Sequence, residues 1–511
     1  MCYRLAPVGL NPDGDHGNPR MSSLKSPAEE LVAAIALISW PLIVLALFAT
    51  QPQRTALVWS LLLGYLFLPS RFGINLPGLP PLEKRSVAAL AILAGLLLFL
   101  PNRTPRLAAL NDQPLLENHN RLFAWVFFGL AAGLFLNMGL TIATNQTSYT
   151  IGEKFLAAMR PWDFVSMASA ITFTMIPFFL GRRYLARPED HRYLLKCLVI
   201  SGLIYSVLVV FEIRMSPQLH RWIYGYFQSD WVQHFRNGFR PIVFLNHGLA
   251  VGFFLFSTVF AALALARSTQ VGTHWKWGLA ATWLLLVLLI SRNLGATAIA
   301  LLLLALLFLG RRFALFMVTV ITLTFLLYPA VRQTNLIPLS EIASTAGKIS
   351  ADRMQSFQFR LDNEDLLLAR AAEKPVSGWG SWGRPRVYND KGRDISVTDG
   401  LWIIVLGERG WLGYICFFGL LTLPLLALPR VRKRKEIPIE TVAMAVIMAG
   451  NLIYLIPNST LSPIAWLMAG ALAGFVQFDV KAAEDAKAPV AKPSRPPGYS
   501  RFPAGASVAR T

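Results

Sequence analysis

Arg240, Asn246 and His247 fall within the run Gly238-Phe239-Arg240-Pro241-Ile242-Val243-Phe244-Leu245-Asn246-His247-Gly248, and Arg292 follows in Ser291-Arg292-Asn293. Between Tyr328 and Thr398 an otherwise very apolar chain is interrupted by about seventy polar residues, where connections between packed segments usually run a few residues. That insertion carries Arg353, Phe357, Arg360, Glu364 and Leu367 at i, i+4, i+7, i+11 and i+14, the repeat of one helix face. Arg353 and Arg360 then project together. Arginine presents a planar fork of donors suited to bidentate phosphate binding, and three separate segments offering it point to a pyrophosphate clamp. Asp399 closes the insertion where the chain re-enters apolar sequence. Each residue also has a plainer use. Arg240 and Arg292 can snorkel to lipid headgroups, Arg360 can pair with Glu364 and Arg370 with Glu373 on a helix surface, His247 can be a hydrogen-bonded core histidine, and Asp399 can cap the next helix.

The elements that must position these residues are membrane helices. The chain has 511 residues, 54% hydrophobic and only 15% charged, a balance that soluble globular proteins do not show. Apolar runs long enough for a hydrocarbon core of roughly 30 Å lie near 31–49, 55–69, 86–101, 122–144, 164–181, 194–213, 241–265, 275–291, 295–309, 313–330, 399–428, 440–456 and 461–478. The expected fold is therefore all-α: a polytopic integral membrane protein with about twelve or thirteen transmembrane helices and one long, outward-facing, partly helical loop. Its expected divisions are a disordered leader (1–28), an N-terminal helix bundle (29–330), the large loop (331–398), C-terminal membrane helices (399–480) and a disordered basic tail (481–511).

A formal charge of +20 would suit nucleic acid, but the basic residues cluster in short loops and tails and read as topology signals instead. Arg182, Arg183, Arg187 and Arg192 share one loop; Arg267 and Lys276 flank a second; Arg311 and Arg312 form a third; Arg430 to Lys435 supply a fourth. With these four loops inside, 214–240, 291–294 and 331–398 all face outward. The N-terminal third stays unassigned, because Arg71, Lys84 and Arg85 compete with Arg103, Arg106 and Arg121 for the inside. Cys197 and Cys416 lie within spans and imply no disulfide framework. No metal-ligand spacing or nucleotide-binding fingerprint is present, so neither metal nor cofactor is expected. Gly378-Trp379-Gly380-Ser381-Trp382-Gly383 predicts flexible backbone with two exposed indoles, suited to sugar stacking or to the headgroup belt, and Trp222, Tyr224, Tyr226 and Trp231 are open to the same two uses.

From Arg236 to Phe417 the ordered set resembles the bacterial O-antigen ligase and O-antigen polymerase superfamily. Arg240 to Ala250 is similar to its Arg-x-x-x-Phe-x-Asn-x-x-Ala segment, Ser291-Arg292 to its Ser-Arg-Gly turn, and Arg360 followed by Pro375, Gly378 and Gly380 to its Arg and Pro-x-x-Gly-x-Gly loop. The resemblance implies an inner-membrane glycosyltransferase for surface polysaccharide. Its donor would be a glycan on a polyprenyl diphosphate and its acceptor a sugar or lipid, with no metal. It assigns catalysis to Arg240, Arg360 and Asp399, and substrate binding to Arg292, Arg353, Asn246 and His247. One position departs from the pattern. Eleven residues before Gly410, where such proteins carry a histidine that activates the acceptor hydroxyl, stands Asp399. Either Asp399 takes the role of base, or the base lies elsewhere, His247 being the nearest substitute, or the protein is a relative with altered or lost catalysis. A transporter or flippase of an anionic or lipid-linked substrate, and a noncatalytic partner of a polysaccharide export system, remain the alternatives.

Overall fold

The computed structural model describes residues 27–74, 81–99, 116–229, 234–235, 238–268, 274–334 and 351–480. The expected tail lies outside the described residues, as does the leader up to residue 26; Pro27 already begins the first helix. In chain order the helices are α1 Pro27–Thr50, α2 Gln53–Phe67, α3 Lys84–Phe99, α4 Arg121–Ala143, α5 Pro161–Tyr184, α6 Pro188–Met215, α7 Leu219–Tyr224, α8 Gly248–Arg267, α9 His274–Ile290, α10 Leu294–Leu304, α11 Arg311–Gln333, α12 Ala351–Ala372, α13 Leu401–Val431, α14 Ile439–Leu455 and α15 Pro463–Gln477. Seven of these (α1, α4, α5, α6, α8, α11 and α13) are long and apolar enough to cross a membrane, and α9, α10, α14 and α15 are shorter apolar helices. The only strands among the described residues form three two-stranded antiparallel ribbons, such as Leu116–Asn118 with Phe478–Val480.

This is a membrane protein, and its surface says so as clearly as its composition. Leu42, Leu97, Leu136 and Leu302 lie more than half exposed on apolar helices, where only lipid would welcome them. Trp125 and Trp275 stand exposed at one end of the bundle, Trp162 and Trp222 at the other, the placement of two interfacial belts. Helix α5 packs against α15 through small residues: a Cβ on Gly470 would sit 1.9 Å from the Phe178 carbonyl oxygen, so the two backbones are in direct contact.

The basic loops are tied together on one face. Arg182 donates to Gln477 Oε1 at 2.7 Å, Lys435 binds Asp479 at 2.9 Å, Arg311 binds Glu436 at 2.5 Å, and the Arg267 guanidinium stacks 4.7 Å from the Phe308 ring. Arg54, opening α2, binds Asp190 in the first of these loops at 3.0 Å. At the far end of α2, Ser70 Oγ donates to the Phe244 carbonyl at 2.7 Å. Helix α2 therefore runs from the basic-loop face to the face that carries Arg240, and Arg71, Lys84 and Arg85 belong to the latter. Charge counting could not assign this end because its cations serve local contacts: Lys84 Nζ donates to Ser70 Oγ at 2.8 Å and to the Tyr65 carbonyl at 3.2 Å.

Candidate functional site

The Arg240 mouth is built from irregular backbone. The expected span 241–265 is helical only from Gly248, so Asn246 and His247 do not lie two turns down a helix but in the segment that leads into it. The cause is a set of buried side chains that take over the backbone partners a helix would have supplied. Glu212 Oε2 accepts from Ile242 N at 2.8 Å and Val243 N at 2.7 Å, while its Oε1 accepts from Leu219 N at 3.1 Å. Tyr205 Oη accepts from Phe244 N, and Gln228 Nε2 donates to the Val243 and Leu245 carbonyls. Val243 is held at φ 53°, a left-handed backbone uncommon for a β-branched residue.

His247 proves to be the N-cap of α8: its Nδ1 accepts from Leu249 N at 3.1 Å, which places the proton of the neutral ring on Nε2. Its ring packs edge-on against His234 at 4.8 Å. Arg240 donates through Nε and Nη2 to Asn293 Oδ1 at 2.9 and 2.6 Å, and Asn293 is buried. Arg292, at φ 58°, lays its guanidinium over Gly238, where a Cβ would meet it at 2.5 Å. Arg240 thus reaches the turn that carries Arg292, Arg292 reaches back to the segment that carries Arg240, and the sequence-adjacent Asn293, which motif reading passed over, is the residue that aims Arg240.

Helix α12 contains the run from Arg353 to Leu367, of which the Phe357 side chain lies outside the described residues. The side chain of Arg353 lies outside the described residues. Arg360 does not pair with Glu364. That carboxylate accepts from Tyr328 Oη at 3.1 Å and from Arg332 Nε at 3.3 Å, both on α11, which leaves Arg360 Nε to stand 3.6 Å from Asp399 Oδ2. Arg370 and Glu373 do form the ordinary surface pair, at 2.7 Å. Asp399 is no helix cap: the N-cap of α13 is Gly400 and makes no side-chain capping bond. Partial burial pushes the Asp399 carboxyl above the usual aspartate range, and the Arg360 cation opposes that shift. Behind the pair opens a cavity of about 150 Å³. The Tyr454 phenol donates to the Leu249 carbonyl at 2.9 Å, and Ile456, two residues on, lines the cavity, so the end of α14 stands between mouth and rim.

The Gly/Trp-rich segment has a different use from either one expected for it. Helix α13 is broken at Gly410 (φ 61°, ψ −170°), and residues 375–380 thread into the break. Trp379 N and Gly380 N donate to the Gly407 and Glu408 carbonyls, both at 2.9 Å, while Trp411 N donates to the Pro375 carbonyl at 2.7 Å. Trp379 is buried, with the Arg370 guanidinium 3.4 Å above its ring and its Nε1 donating to the Arg370 carbonyl at 2.7 Å. Only Trp382 of the two indoles is exposed. Likewise Tyr224 and Tyr226 are buried, their hydroxyls donating to the Phe67 and Ser70 carbonyls, and Trp222 alone is exposed; Trp231 lies outside the described residues.

Sequence reasoning singled out the arginines and Asp399, and passed over Glu212, Tyr205, Gln228 and Asn293, which hold the mouth. Glu212 alone carried a signal: a carboxylate inside an apolar run demands a partner. Among the described residues no three His, Cys, Asp or Glu side chains converge as a metal site needs. No known family model matches the chain, and no curated protein shows significant similarity to it.

Proposed function

We propose that this protein is a glycosyltransferase of the bacterial inner membrane, similar to O-antigen ligases and polymerases, that moves a glycan from a polyprenyl diphosphate to a sugar or lipid acceptor in surface-polysaccharide synthesis. In this reading the thirteen apolar helices all span the bilayer, the basic loops are cytoplasmic, and the Arg240 and Arg360 face is periplasmic. The observation that carries the proposal is that Arg240, held on Asn293 beside Arg292, and Arg360, facing Asp399, flank the same end of α14 on the face opposite the basic loops, Tyr454 bonding Leu249 at the mouth and Ile456 lining the cavity at the rim.

The chemistry needs little more. An acceptor hydroxyl gives its proton to the Asp399 carboxylate, its oxygen bonds to the anomeric carbon, and the bond from that carbon to the diphosphate oxygen breaks. The departing diphosphate keeps the electron pair and is stabilised by the preorganised guanidinium groups of Arg240 and Arg292. Arg240→Lys keeps the charge and loses the fork that grips Asn293 Oδ1 through two nitrogens. It is expected to cut surface-glycan output severely at normal protein level; full output would reassign Arg240 to headgroup anchoring.

One observation favours a transporter instead: the break in α13, since discontinuous helices line many transport sites. Against it, the break is filled by the chain's own 375–380 segment. Reconstituted vesicles that flip a fluorescent polyprenyl diphosphate without transferring its glycan would decide for transport.

A further inference from the structure

The cavity behind Arg360 and Asp399 has a lining unlike that of the Arg240 mouth. Phe359, Leu361 and Leu367 of α12 form one wall; Tyr328 of α11, Ile403 of α13 and Ile456 form the others. Its inner polar groups are already spent. Tyr328 Oη donates to Glu364, Asn363 Nδ2 donates to the Phe359 carbonyl, and Asn363 Oδ1 accepts from Val397 N at 2.7 Å. What remains is an apolar chamber with one polar edge, where Arg360 and Asp399 stand 44% and 42% exposed and too far apart for a good hydrogen bond.

The charge balance excludes an anion. The lining holds two carboxylates, Glu364 and Asp399, against one guanidinium, Arg360, which Asp399 counters, while Arg332 behind Glu364 is itself paired with Asp365. At the mouth Arg240 donates to the amide oxygen of Asn293. A volume of about 150 Å³ has room for on the order of ten waters, the bulk of one pyranose ring. Such a ring has apolar C–H faces to lay on Phe359 and Tyr328, and a hydroxyl edge to present to Asp399 and Arg360.

We infer that this chamber is a subsite for an uncharged sugar ring of the acceptor, separate from the diphosphate site at the mouth, and that Phe359 and Ile403 set its fit. The assignment of the ring to the acceptor rests on the glycosyltransferase reading above; the binding of an uncharged ring does not. The test is saturation-transfer NMR on the full chain in lipid nanodiscs, with methyl β-glucoside and methyl β-galactoside as probes and methyl β-glucuronoside as the anionic control. The neutral glycosides are expected to bind saturably. Ile403→Phe, which fills the chamber, and Phe359→Ala, which removes an exposed wall and spares the core, should each weaken binding roughly tenfold, as the loss or crowding of an apolar wall does. Inorganic pyrophosphate, directed to the mouth, should leave the glycoside signal in place. Absence of saturable binding, equal binding in wild type and both variants, or preference for the glucuronoside would overturn the subsite. Chamber-dependent glycoside binding by a wild-type protein that transfers no glycan would instead overturn the transferase reading alone. Transfer with acceptor KM unchanged in both variants would overturn the subsite alone.

Discussion

The mouth at Arg240 and the rim at Arg360 use the same residue type on the same face, yet they are held in opposite ways. Around Arg240 three supports are buried: Glu212, Tyr205 and Asn293 are each at most 1% exposed and each bonds directly to the segment or to the guanidinium. Around Arg360 the supports are half-exposed side chains in one long ion pair. Buried bonds in a low-dielectric setting fix geometry before a ligand arrives, which suits donors aimed at a charge that develops during reaction. A loose, solvated pair yields to the ligand, which suits a site that must admit and release acceptors of varied shape. The difference teaches that arginine at a membrane surface is not one device, and that its support decides which device it is.

The comparison is tested most severely at Glu212. Glu212→Leu would leave the amides of Leu219, Ile242 and Val243 without their acceptor, at about 1–3 kcal/mol for each buried donor. The expected outcome is little folded protein in detergent, read by size-exclusion chromatography, with Glu212→Gln recovering part of the yield through its remaining carbonyl oxygen. A Glu212→Leu protein that eluted and melted like wild type would show that the mouth is not built on this carboxylate.

Next in size is Gly410→Ala. A Cβ there would stand 2.4 Å from the Val376 carbonyl oxygen, on a backbone at φ 61° and ψ −170° that only glycine adopts readily. The strain should cost about 1–3 kcal/mol or expel the loop from the break, seen as a lower melting temperature and as new protease cleavage within 375–380. An unchanged melt would mean that loop and broken helix are not locked together.

These two residues also mark what the sequence made legible. Thirteen apolar runs were readable because lipid requires a stretch of suitable length, and each of them contains a helix here. The helix face from Arg360 to Leu367 was readable from its period. Long-range partners were not. Nothing local in Pro241–Leu245 announces that it is irregular, since the run is as apolar as a span and its backbone acceptor and donor partners come from Glu212, Gln228 and Ser70, distant in the chain. Nor does the run 375–380 reveal that its amides complete α13; Gly410 within an apolar stretch was the visible half of that arrangement.

The smallest effect is expected at the rim itself. The Arg360 and Asp399 pair is nearly half exposed on both sides, so Arg360→Gln should change thermal stability by no more than about 1 kcal/mol, well below either substitution above. Its signature is in pH. Burial raises the Asp399 carboxyl above its ordinary value of 3.8 and Arg360 holds it back, so removal of the cation lets the value climb further. A base must be ionised, and the acid limb of the transfer rate therefore moves to higher pH in Arg360→Gln, with Arg360→Lys lying between it and wild type. Asp399→Asn, which has no carboxylate to titrate, should lose transfer at every pH while still binding the donor. If Arg360 instead gripped the diphosphate as Arg240 is proposed to do, its loss would raise the donor KM and leave the acid limb where it was. Measurement of transfer from about pH 3 to pH 8, a range that spans the ordinary aspartate value and any raised one, decides whether mouth and rim are two devices or two halves of one clamp.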